Sequence, residues 1–200
     1  MKIQRSALAL AAAAAAMVTG RIAYPVEAVK SVTIQVDEIG KCGLKPDTVS
    51  RLLALDAEAF DQSLEGYQSL GLRQCYVDAA LMIDLYLSVN SEKLAPSWLV
   101  SMKFHAGQMY AHSGEVLYSL AARRMKESTK DLSHPSWQAY VAATVAFLER
   151  DLPALKTRRG GLAAISDGPL NNLNLAVVDR LIKCFDKSYA VAYSPTLCPL

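Results

Sequence analysis

Hydrophobic residues recur at helical spacing along most of this chain. Between residues 48 and 70, Leu52, Leu55, Ala59, Phe60, Leu64 and Tyr67 fall on one helical face, as one long helix or two short ones, and Gly71 ends the stretch. Residues 74 to 89 follow with Ala79, Ile83 and Tyr86 in register, completing a first hairpin. Pro96-Ser97-Trp98 opens the next helix, since proline suits an early helical position, and Gly114 separates it from a partner over about 115 to 127. Pro135-Ser136-Trp137 opens a third pair that runs to about Arg150 and turns at Asp151-Leu152-Pro153. Its second helix is expected to break at Gly160-Gly161, each glycine costing about 1 kcal/mol relative to alanine. A last helix over about 174 to 187 carries Leu175, Val178, Leu181, Ile182 and Phe185 and is placed to cap the array. The pattern predicts an all-α fold over residues 47 to 200, a short stack of helical hairpins.

The chain before this region reads differently. Lys2 and Arg5 precede twelve unbroken apolar residues, Ala7 to Val18, too few for the roughly 20 that a bilayer core requires. Val26-Glu27-Ala28 supplies aliphatic and small residues at the positions a signal peptidase reads, so residues 1 to 28 are expected to be a cleavable signal peptide. Val32, Ile34 and Val36 alternate with polar neighbours from Val29 to Asp37, with no second strand nearby to pair with, so residues 29 to 46 are expected to form an extended arm. An exported protein, periplasmic or secreted, without a membrane span after cleavage, is the expectation.

Export changes the meaning of the cysteines. Cys42, Cys75, Cys184 and Cys198 lie 33, 109 and 14 residues apart, spacings that match neither a redox CxxC motif nor a zinc ligand pair. Structural disulfides are expected in an oxidising compartment. Of the three pairings, Cys42 with Cys75 and Cys184 with Cys198 is preferred, because an elongated array holds its two ends apart and each bridge would tie down one end.

Charge excludes several partners. The chain has 200 residues with 21 basic and 19 acidic side chains; residues 1 to 28 hold three of the former and one of the latter, leaving 18 of each. A neutral remainder offers no electrostatic footprint for nucleic acid or an anionic membrane. Enzymatic signatures are also missing: the sequence holds no G-x-S-x-G, no H-E-x-x-H, no P-loop and no G-x-G-x-x-G. Only His105, His112 and His134 could serve as imidazole bases. Catalysis is therefore not expected, although a hydrolase with a scattered active site stays an alternative.

Pro-Ser-Trp recurs at 96 to 98 and at 135 to 137, a period of 39 residues. Met102, Ala106 and Met109 follow Trp98 at the same offsets at which Val141, Val145 and Leu148 follow Trp137. Helix pairs repeating at such a period are what stacked helical repeats produce, because one hairpin cannot bury its apolar face alone. Gly107, Tyr110 and Gly114 match the glycine, tyrosine and inter-helix glycine of a tetratricopeptide repeat, and Cys75 to Ala80 resemble the start of its second helix. Over about residues 52 to 165 the chain thus resembles the tetratricopeptide-repeat (TPR) family. That resemblance implies a TPR-like array whose concave surface, lined by first helices, binds a peptide or partner protein non-covalently and without a cofactor. The groove would be lined by the helices at 97 to 113 and 136 to 150, with Lys103, His105, Gln108, His112, Gln138, Tyr140 and Thr144 as candidate contacts.

Met102, His105, Met109 and His112 form an alternative site, spaced 3, 4 and 3 along one helical stripe. Thioether and imidazole ligands suit Cu(I), so a soft-metal carrier is the second reading, while core packing with two edge histidines explains the same stripe. Two basic clusters, Arg123, Arg124 and Lys126, then Lys156, Arg158 and Arg159, could grip an acidic partner or be solvated helix faces. Asp56, Glu58 and Asp61 read as acids complementing a helix start.

Overall fold

The structure is a computed structural model that describes residues 42 to 130, 134 to 165 and 169 to 200. The expected signal peptide and most of the expected arm, including the strand-like stretch at 29 to 37, lie outside the described residues. Ten α-helices, and no strands, form among those described. They are α1 (Pro46–Leu53), α2 (Ala57–Gln62), α3 (Gln68–Leu72), α4 (Tyr76–Asn90), α5 (Pro96–His112), α6 (Tyr118–Glu127), α7 (Pro135–Leu148), α8 (Leu152–Ala163), α9 (Pro169–Lys183) and α10 (Tyr189–Tyr193).

Local chemistry sets most of the starts. Pro46, Pro96 and Pro135 each sit in the first turn of their helices after an extended residue, as the proline ring requires. Asp56 caps α2 by accepting from Ala59 N at 2.8 Å, and Asp151 caps α8 through Ala154 N at 2.9 Å. Two ends close by Schellman turns with a side-chain-bearing residue at positive φ. Gln74 (φ 60°) follows α3, where Cys75 N reaches Leu70 O, and Arg150 (φ 59°) follows α7, where Asp151 N reaches Ala146 O.

Neighbouring helices pack in chain order from α4 to α9, which gives the array a helical repeat-like arrangement. One cluster of buried side chains gathers α1 to α4 with Met102 and Ala106 of α5, and a larger one gathers Val77 and Ala80 of α4 with α5 to α10, with Met109 touching both. Cys42 bridges to Cys75 and Cys184 to Cys198, with Cα atoms 5.9 and 6.4 Å apart, the expected pairing. No helix among the described residues is long and apolar enough to cross a membrane.

Four expectations need correction. The stretch from 48 to 70 breaks into three short helices, and Leu64 falls in a turn at 64% exposure rather than on a buried face. Helix α8 runs unbroken through Gly160 and Gly161, because Leu155 and Leu162 on either side are fully buried and outweigh the glycine cost. The last long helix begins at Pro169 and ends at Lys183, so Phe185 lies beyond it. Beyond Phe185, α10 returns to pack on α5.

Candidate functional site

The helices α5 and α7 do form a shared face, but the chain's own C-terminus fills it. Tyr189 of α10 is fully buried; its N–H donates to the Tyr118 hydroxyl at 2.6 Å, and Gln108 Nε2 donates to its hydroxyl at 3.5 Å. His112 stacks on Tyr76 and meets Tyr189 and Tyr193 edge-on at 5.2 and 5.9 Å between centroids. Burial among these rings lowers the His112 pKa, and burial raises those of Tyr140 and Tyr189 well above the ordinary phenol value. Tyr140 and Thr144 are buried, Thr144 donating to the Tyr140 carbonyl at 3.0 Å, which places these two candidate contacts in the core and out of a partner's reach.

The remaining stripe residues also have separate tasks. His105 Nδ1 lies 2.8 Å from a carboxylate oxygen of Asp61, which is fully buried, so this pair fixes α2 to α5. Met102 is fully buried and Met109 half-buried, and the described residues hold no cluster of three or more His, Cys, Asp or Glu that could take a metal ion. A small cleft of about 180 Å³ brings Asp78, His112 and Ser113 together. There the Ser113 hydroxyl donates to the Met109 carbonyl at 3.0 Å and Asp78 accepts from Cys42 N at 3.3 Å, so both already serve the fold.

Helix α7 explains where an open surface lies. It is apolar nearly all round, so one side can be buried without exhausting the other. Tyr140 and Phe147 lie on the side that meets the α10 tyrosines, with the buried Thr144 between them, while Gln138, Val141, Ala142, Val145 and Glu149 lie about half a turn away. These line an open cleft of about 370 Å³ with Lys126, Thr129, Ala146, Ala154 and Arg158. A second cleft of about 620 Å³ adjoins it, and Tyr118, Ala122, Arg123, Lys126, Lys130 and Leu148 are among its walls. Lys126 and Glu149 belong to both, bridging at 2.6 Å with 57% and 49% of their side chains exposed. The two clefts form one groove between α6, α7 and α8.

Of the candidate contacts, this groove takes Gln138 alone; Lys103, a half-buried α5 residue, is not among its walls. The basic clusters divide. Arg123, Lys126 and Arg158 face the groove, whereas Arg124 bridges Asp84 at 3.0 Å and Glu127 at 2.9 Å, and Arg159 forms a two-point bridge to Asp179. Sequence reasoning read Asp61 as a helix-start acid and Tyr110 as a repeat tyrosine, and missed that Asp61 pairs with His105 and that Asp84 accepts from the Tyr110 hydroxyl at 2.9 Å, because nothing local distinguishes a paired carboxylate from a solvated one.

Comparison of the chain with protein families, with curated proteins and with solved structures finds no match. The functional reading therefore rests on the groove itself.

Proposed function

We propose that this protein is an exported, TPR-like helical-repeat module that holds a segment of a protein partner non-covalently in the groove between α6, α7 and α8. The observation that carries this reading is the groove's construction: a solvent-facing cleft whose accessible apolar surface comes from the half-buried Ala142 and Ala154, over the buried Val141 and Val145, edged by long cationic side chains. Concave apolar surfaces with a polar rim suit segment recognition, since the floor contributes burial and the rim sets orientation. The face first assigned to the partner, around Gln108 and His112, is instead occupied by α10. Two disulfides favour an oxidising compartment, periplasmic or secreted, as does the signal-like start of the sequence.

Blocking the floor tests the proposal. Ala142 is half-buried on α7, and Ala142→Trp would fill the cleft without touching the α10 side. Capture of a stoichiometric partner from the protein's own compartment should succeed with the oxidised wild type and fail with Ala142→Trp, the two proteins melting alike. Equal capture by both would place the binding face elsewhere.

A further inference from the structure

We infer that the groove takes an acidic, amphipathic segment of the partner, with apolar side chains on α7 and carboxylates between the cations of α6 and α8. The inference rests on reading the groove as the binding face. Charge complementarity carries it. Arg123 and Lys126 stand on α6, Lys130 follows it, and Arg158 faces them from α8. Two acids also line the groove, and Arg124 already engages Glu127 while Lys126 engages Glu149. The chain beyond residue 28 is neutral, and the exposed Lys130 and Arg158 are the cations on which the inference relies.

Geometry narrows the occupant further. Small residues keep the walls low, and the half-buried Ala142 and Ala154 leave room for a partner's larger side chains between α7 and α8. A nucleic acid is a poorer fit, because single strands are held by exposed aromatic platforms and the one ring in these walls, Tyr118, is buried. A membrane surface would need a projecting apolar face, whereas this floor is recessed. Lys126 and Glu149 supply the means of entry: the pair is exposed and therefore weak, so an incoming carboxylate can replace Glu149 at little cost.

The test uses the oxidised mature chain and two fluorescent synthetic peptides. Both share a helical leucine stripe; one carries glutamate on its polar face and the other lysine. The glutamate peptide should bind, weaken at least about tenfold as salt rises from about 0.05 to about 0.5 M, and outcompete its lysine twin. Lys130→Glu combined with Arg158→Glu, both at exposed positions, should weaken it at least about tenfold, while Lys45→Glu ahead of α1 should leave binding unchanged. Equal binding of the two peptides, or indifference to the double reversal in a protein that melts like the wild type, would overturn the inference. So would single-stranded DNA or anionic vesicles binding through these cations in place of the peptide. If the glutamate peptide fails while Ala142→Trp still abolishes natural capture, the acidic occupant is wrong and the groove stands. If Ala142→Trp leaves capture intact, the groove reading itself falls.

Discussion

Single residues decide how closely these helices approach. A Cβ added at Gly107 would lie 2.6 Å from the Met125 side chain and 2.9 Å from the Ala121 carbonyl, so α5 and α6 touch through this glycine. Gly107→Ala should lower stability by about 1 to 3 kcal/mol despite the better helix propensity of alanine, measured as a fall in Tm. His112 gives a pH signature. Because burial lowers its pKa in the fold, the unfolded chain takes up a proton that the folded chain resists. Its contribution is present above the ordinary histidine value of about 6.5 and is lost as pH falls through the lower folded value. Denaturation midpoints across this range should fall with acidity in the wild type and less so in His112→Phe, which keeps a ring against Tyr76. Sequence could locate Gly107, through its repeat-like position, but not Asp61. As one of three nearby acids it looked solvated; only the fold brings His105 to it.

Elements were legible where periodicity was one-sided and illegible where it was not. Pro-Ser-Trp marked the starts of α5 and α7 within a residue, and both matched stripes are buried apart from the half-buried Met109. An all-round apolar helix such as α7 offers no face to choose from, so Tyr140 and Thr144 were assigned to a surface that α10 covers. Helix α10 is five residues long and gives too short a pattern to read, yet it is held tightly. Arg150 reinforces its approach, with its guanidinium 5.2 to 5.9 Å from the Tyr118, Phe147 and Phe185 rings and donating to the Phe185 and Lys187 carbonyls. The Cys184–Cys198 bridge closes the loop that contains α10. Replacing both cysteines with serine should cost about 3 kcal/mol, in line with closing a loop of this length. Hydrogen exchange should accelerate first across Tyr189–Tyr193. Unchanged protection there would mean that side-chain packing alone holds α10 in place.

At the scale of the whole molecule, the sequence carried the fold class, because hairpins follow from local spacing, whereas four cysteines allow three pairings and the preferred one, which the structure forms, rested on the expected shape of the array. The sequence did not carry the location of an open surface, which depends on how a distant terminus returns. Under the proposed function a partner meets the α6–α8 groove, while α10 packs on the α5–α7 face. The direct measurement is photo-cross-linking in the native compartment with benzoylphenylalanine placed at Ala142 or, as the comparison, at Lys103. Cross-links to one protein from position 142 and none from 103 are predicted. Cross-links from 103 with position 142 silent would contradict the account and return the binding face to α5.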